Sequence, residues 1–283
     1  MIPQKNLSLL SNRLARKGGR RIPEAVFERD YCISWFLIGM SHSPLKDILV
    51  FKGGTAIKKC YFSDYRFSED LDFTLSKKFL SQNFQNNLDI ALKYTQQASG
   101  IKLYFDNSNQ YNHKNSYTFF LGFEGPLPAV SSKRIKVDIT IKEKIVFPIE
   151  NKAILRGYKE YEDLPENEII YAYSLDEIAT EKVIALLDRA RNEPRDLYDI
   201  WYLCSGRYVN LVELIEAIKQ KLKFKDKKLI DAGEEFLCKE VRLRKLWKIR
   251  LSSQMIVLPE FDQVYRTVKR EFRQAGLLEQ IKI

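Results

Sequence analysis

The chain has 283 residues, 45% hydrophobic and 30% charged, with a formal net charge of +10 and a pI near 9.2. This balance excludes intrinsic disorder and supplies enough apolar mass for a sizeable core and two subdomains. No stretch approaches the roughly 20 consecutive apolar residues needed to cross a bilayer, and the opening MIPQKNLSLL lacks the layout of a signal peptide, so a cytoplasmic protein with no membrane partner is expected.

Only His42 and His113 occur, which argues against zinc hydrolase chemistry and against a serine or cysteine nucleophile served by a histidine base. Cys32, Cys60, Cys204 and Cys238 are scattered without paired metal spacing and read as buried reduced thiols. The excess positive charge fits a polyanionic partner held through phosphate contacts.

In chain order, residues 1–21 carry six basic side chains, Lys5, Arg13, Arg16, Lys17, Arg20 and Arg21, and no acidic ones. They read as a basic N-terminal arm, either solvated or gripping nucleic acid. Residues 23–40 predict a helix whose apolar face includes Val26, Tyr31, Ile33, Trp35 and Leu37, with Pro23 suited to its first turn. Residues 48–51 form a short apolar strand, followed by Lys52-Gly53-Gly54-Thr55 and a helix start at 56–59. Paired glycines let the backbone approach a phosphate, and a helix start offers free N–H groups to an anion.

Residues 70–75, Asp-Leu-Asp-Phe-Thr-Leu, alternate polar and apolar with the period of a half-buried strand. Asp70, Asp72 and Thr74 therefore share one face, with the two carboxylates about 7 Å apart along the strand. Like charges so placed call for a cation between them, and Mg²⁺ fits because it takes oxygen ligands and completes its shell with waters and substrate phosphates. A helix follows over 81–98, with Phe84, Leu88, Ala91, Leu92 and Thr95 at helical spacing and Gly100 ending it. Residues 101–105 and 116–123 are strand-like, and 133–142 alternates again around Asp138, which shares a face with Lys136 and Thr140. Asp138 is read as a third metal ligand or as the general base for an attacking hydroxyl. Residues 147–165 read as mostly loop with short pieces.

From 174 onward the pattern is helical: 174–191, 194–203, 211–222, 227–238, 239–251 and 259–275. Ser174-Leu175-Asp176-Glu177 has the form of a capping box. Counted along that helix, Lys182 and Arg189 fall on one stripe and project together. The basic run at 239–250, with Trp247 interleaved, reads as a solvated helical surface. The fold class expected is α+β: a mixed β-sheet with flanking helices plus a C-terminal helical domain, divided 1–21, 22–165 and 166–283.

Gly53-Gly54-Thr55 followed by Arg66-Phe67-Ser68-Glu69-Asp70-Leu71-Asp72 resembles the AbiEii/AbiGii family of nucleotidyltransferase toxins from type IV toxin–antitoxin and abortive-infection systems, which includes the MenT-type toxins. The later family pattern is matched by Glu181-Lys182, Arg189 and Arg195-Asp196-Leu197-Tyr198-Asp199, so the resemblance spans roughly 22–203. Fifteen residues separate Gly54 from Asp70, more than is usual in the family, which implies a longer helix or loop between them. The resemblance implies a nucleotidyltransferase fold and transfer from a nucleoside triphosphate. Two Mg²⁺ ions would be held by Asp70, Asp72 and Asp138, with Gly53, Gly54, Thr55, Lys182 and Arg189 on the phosphates. Arg66, Ser68, Arg195 and Asp199 would be supporting residues, Asp199 orienting either Arg195 or Lys182. The acceptor implied is tRNA or another RNA, with a cognate antitoxin as partner and phage defence as the setting. A protein hydroxyl as acceptor, or a non-catalytic nucleotide- or antitoxin-binding protein, is the alternative.

Overall fold

The computed structural model describes residues 1–16, 20–76, 83–128, 133–226 and 232–279, and its chain divides into two compact units. The first comprises Met1–Glu143, Ile149–Ala172 and Gln254–Ile256; the second comprises Lys144–Pro148, Tyr173–Ser253 and Val257–Ile283.

The first unit is organised by a sheet which, among the described residues, has seven strands: β1 Leu49–Lys52, β2 Asp70–Leu75, β3 Lys102–His113, β4 Ser116–Glu124, β5 Arg134–Thr140, β6 Ile149–Ala153 and β7 Ile169–Tyr173. Their spatial order is β3-β4-β5-β2-β1-β7-β6, with β2 parallel to β5, β1 parallel to β7 and β1 antiparallel to β2. One face is apolar. Phe51, Leu71, Phe73, Phe119, Val137 and Ile139 are all buried there, and Phe84 packs edge-on to Phe119 at 5.7 Å. Burial of this kind is worth about 1.5–3 kcal/mol per large side chain, which fixes the register and turns the polar positions to the opposite face.

Among the described residues the unit also has four α-helices, α1 Gln4–Ala15, α2 Glu24–Ser41, α3 Gly53–Ala56 and α4 Phe84–Ser99. The start expected for α4 at Ser81 lies outside the described residues, as does Lys17 of the basic run. Over Gln4–Ala15 that run is a packed helix, because Leu7, Leu10 and Leu14 bury its inner side and Arg13 makes a bidentate ion pair with Glu160. Helix α2 is buried over most of its circumference from Phe27 to Met40, beyond the single apolar face expected. Its charges are matched there: Asp30 pairs with Lys59 at 2.7 Å and Glu28 with Lys133 at 2.7 Å. Strand β6 is one of the short pieces within a stretch read as mostly loop. Cys32 and Cys60 are buried, Cys204 is half-buried and Cys238 is exposed, so the expectation of four buried thiols holds for only part of the set.

The second unit is built from α5 Leu175–Leu187, α6 Pro194–Ser205, α7 Ile215–Phe224, α8 Ala232–Cys238, α9 Glu240–Leu251 and α10 Phe261–Gln274. The expected α8 start at Lys227 falls outside the described residues. Ser174 caps α5 by accepting the Glu177 N–H at 3.2 Å. Trp247 is buried, donating Nε1–H to the Pro259 carbonyl and packing edge-on to Phe261, so α9 contributes core as well as basic surface. No helix among the described residues is long and apolar enough to cross a membrane.

Candidate active site

The polar face of the sheet carries one row of four residues. Lys52 of β1 pairs in register with Asp72 of β2, Asp72 with Asp138 of β5, and Asp138 with Thr118 of β4. Register partners point to the same side of neighbouring strands about 4.8 Å apart, so Asp72 and Asp138 stand side by side. In the next row Asp70 pairs with Lys136. The alternation of β2 and β5 in the sequence is thereby converted into a patch of three carboxylates interrupted by cations.

Gly53 begins α3 directly after Lys52, with a left-handed φ of +79°. A Cβ there would lie 2.6 Å from Oδ2 of Asp72, so only glycine lets the chain turn against that carboxylate. A Cβ on Gly54 would meet Nη2 of Arg66 at 2.6 Å and Ser68 Oγ at 3.4 Å, which places both residues against the turn. Arg66 is buried and donates to the carbonyl of Phe67 at 3.2 Å and to Gln254 Oε1 at 3.1 Å. Thr55 is buried and gives its hydroxyl to the main-chain oxygen of Asp70. That bond ties the turn to the start of β2 and commits the hydroxyl expected to meet phosphate. The residues between Gly54 and Asp70 form the rest of α3, a π-helical turn at Ile57–Tyr61 and a stretch of turn and irregular chain over 62–69, which together account for the long spacing.

Among the described residues no group of three or more His, Cys, Asp or Glu side chains is gathered closely enough to hold an ion. The expected convergence of Asp70, Asp72 and Asp138 is therefore not present ready-made. Asp138 is committed on both oxygens: Oδ1 accepts from Thr118 and Oδ2 lies 2.6 Å from Lys136 Nζ. Burial works to lower the Lys136 pKa. The hydrogen bond to Asp138 and the charges of Asp138, Asp70 and Asp72 outweigh it and hold the ammonium above the ordinary lysine range. Lys52, Thr118 and Lys136 are the site residues that sequence reasoning missed; the shared face of Lys136 and Asp138 was the one available signal.

In the second unit Lys182 projects from α5 and is held by two carboxylates of α6, Asp196 at 2.5 Å and Asp199 at 3.0 Å. Asp199, fully buried, thus reaches Lys182. Arg195 pairs with Glu193 at 3.3 Å. Arg189 does not share a helical stripe with Lys182, because α5 ends at Leu187 and Asp188 is extended. Two contacts hold this end: the Lys239 ammonium takes the carbonyls of Leu186 and Asp188 at 2.6 Å each, and Asp188 Oδ1 accepts the Ala190 N–H at 3.1 Å. Arg189 lies beyond, 86% exposed, at 3.6 Å from Glu235.

A sheet with this acidic row beside a diglycine turn, joined to a helical second unit, defines a nucleotidyltransferase-type fold. The family profile described as nucleotidyl transferase AbiEii toxin, type IV TA system, matches residues 35–267, and the chain belongs to that family. It is therefore a nucleotidyltransferase toxin of a type IV toxin–antitoxin system, a class that implies a triphosphate substrate and an antitoxin partner. Among solved structures it is similar to MenT4, a nucleotidyltransferase toxin from Mycobacterium tuberculosis H37Rv, with a TM-score of 0.63 over 95% of this chain and 89% of that one. At 15% identity that likeness concerns the fold. No curated protein matches in sequence.

Proposed function

We propose that this toxin is Mg²⁺-dependent and moves a nucleotidyl group from a nucleoside triphosphate to a hydroxyl of tRNA in the cytoplasm. The observation that carries the reading is the register pair Asp72–Asp138 with Gly53 folded onto Asp72. Magnesium fits this donor set, since all the donors are oxygens and the ion needs only one or two carboxylates, taking its other ligands from water and phosphate. Once Asp138 is released from Lys136, a pair of such ions held by Asp70, Asp72 and Asp138 would offset triphosphate charge and acidify the attacking hydroxyl.

The remaining work is positioning. The Gly53–Gly54 turn brings main-chain N–H groups to the terminal phosphates, while Thr55, Arg66 and Ser68 hold that turn against β2. Asp138 serves as ligand or accepts the proton of the acceptor hydroxyl. Within the second unit Lys182 is the phosphate contact, its ammonium oriented by Asp196 and Asp199, with Arg189 and Arg195 as further basic groups. The net charge of +10 favours an RNA acceptor, because RNA is gripped largely through phosphate and 2′-OH contacts.

The test incubates each of the four α-labelled triphosphates with total tRNA and with cell protein, using the wild type and Asp72→Asn. Label on tRNA with the wild type and Mg²⁺, absent with the variant or with chelator, is expected. Label on protein would move the acceptor to a protein hydroxyl, and label on neither would overturn the reading.

A further inference from the structure

We propose, resting on the Mg²⁺ reading above, that Lys136 is an internal counter-ion that competes with the divalent cation for Asp138. Both oxygens of the Asp138 carboxylate are engaged, Oδ1 by the Thr118 hydroxyl and Oδ2 by Lys136 Nζ at 2.6 Å. Lys136 is also the register partner of Asp70 on the adjacent strand, so the ammonium sits among the acidic side chains that would bind metal. Three carboxylates on one face repel one another, and a cation in their midst relieves that repulsion. Lysine supplies it from within the chain.

The two contacts on Asp138 differ in how they can be released. Thr118 is buried on β4 and fixed by its strand. Lys136 is 42% exposed and carries its charge on a flexible four-carbon stem, so it can swing into solvent without leaving a buried charge behind. Its departure frees Oδ2 and hands the role of counter-ion to the metal. A triphosphate arriving at the diglycine turn offers the displaced ammonium another anion. Metal and nucleotide therefore bind more tightly together than apart, and Lys136 is the positioning residue that couples them.

The coupling is read from Mn²⁺ binding to the full chain, by calorimetry and by the electron paramagnetic resonance signal of free Mn²⁺, with no turnover involved. Lys136→Gln is expected to bind Mn²⁺ roughly three- to tenfold more tightly than the wild type in the absence of nucleotide, the scale of one partly exposed ion pair. A non-hydrolysable triphosphate should tighten Mn²⁺ binding in the wild type and do so less in this variant. Lys136→Arg, which keeps the charge, should behave as the wild type. Lys136→Met, which keeps the stem, replaces the amide variant if that chain does not fold. Equal or weaker Mn²⁺ binding by the charge-free variants overturns the proposal while leaving the metal reading standing. If neither the wild type nor any variant binds Mn²⁺, with or without triphosphate, the metal reading itself falls and takes the proposal with it.

Discussion

Gly53 and Asp72 approach so closely that a single methyl group on the glycine would stand 2.6 Å from the aspartate's Oδ2. Gly53→Ala therefore combines two penalties, the left-handed backbone at φ +79° and the displacement of the carboxylate. The backbone part costs about 1–2 kcal/mol. Activity should fall on the order of a hundredfold, short of the complete loss expected for Asp72→Asn, since the glycine change displaces the carboxylate that the other change removes. Denaturation curves alongside nucleotide-transfer rates check this; a variant with wild-type kinetics would show that Asp72 need not sit against the turn.

Lys182 lies between Asp196 and the fully buried Asp199, so it holds the second unit together besides any role toward phosphate. Removing one partner of a buried ion pair leaves an uncompensated charge, and Lys182→Ala should cost about 3–5 kcal/mol. Adding Asp199→Asn should restore part of that loss. Urea unfolding of the single and double variants measures the coupling. Additive effects would mean that the two side chains do not interact.

Glu177 and Lys221 are each 0% exposed and 2.6 Å apart, and the other Glu177 oxygen accepts the N–H groups of Val146 and Phe147 at 3.0 and 2.8 Å. Glu177→Ala should destabilise the chain by about 3–5 kcal/mol, more than the loss of a helix cap alone. The double change Glu177→Leu with Lys221→Met should be much closer to the wild type. Thermal melts of the three proteins decide it, and a single-site loss under 1 kcal/mol would contradict the buried pair.

Lys58 gives the fold a pH signature. Its ammonium donates to the carbonyls of Ser63 and Tyr65 at 3.0 and 3.1 Å and to Tyr158 at 3.1 Å, and lies 4.3 Å from the centre of the Phe67 ring. Burial pushes its pKa from 10.5 down to about 8. Between those values the folded chain has released a proton that the unfolded chain keeps, so stability rises with pH from about 8 to 10.5, the same gain is given back as pH falls through that window, and below it this lysine contributes no further pH dependence. The slope is about 1 kcal/mol per pH unit. Lys59 is also lowered by burial, and the buried Tyr158 and Tyr161 phenols are pushed up, which opposes the gain above pH 10. Comparing the wild type with Lys58→Met at pH 7.5, 8.5 and 9.5 isolates the lysine; a constant difference would refute the assignment.

How legible the molecule was depends on distance along the chain. The alternation at 70–75 and around Asp138 assigned both strands and the polar face of each, because a period of two is written in neighbouring residues. That Asp72 and Asp138 are paired, or that Lys52 and Thr118 extend their row, is a matter of register between remote segments, and no local pattern encodes it. The same limit explains part of the placement of Arg189. The end of α5 at Leu187 has a local component, Asp188 Oδ1 accepting the Ala190 N–H at 3.1 Å, and a remote one, Lys239 taking the Leu186 and Asp188 carbonyls, which no nearby residue announces. The capping role of Ser174 was readable from four consecutive residues, whereas the Lys221 partner of Glu177 was not.

The short return of Gln254–Ile256 to the first unit closes a long-range brace. Phe67 N–H donates to the Gln254 carbonyl at 2.7 Å, the Gln254 side chain meets Arg66, and Arg20 N–H reaches the Ile256 carbonyl at 2.9 Å. Arg66, which stands against Gly54, is thus held by a residue 188 positions further along the chain. The backing of the diglycine turn is complete only when that remote segment is in place, so a change at Gln254 reaches the turn without touching it.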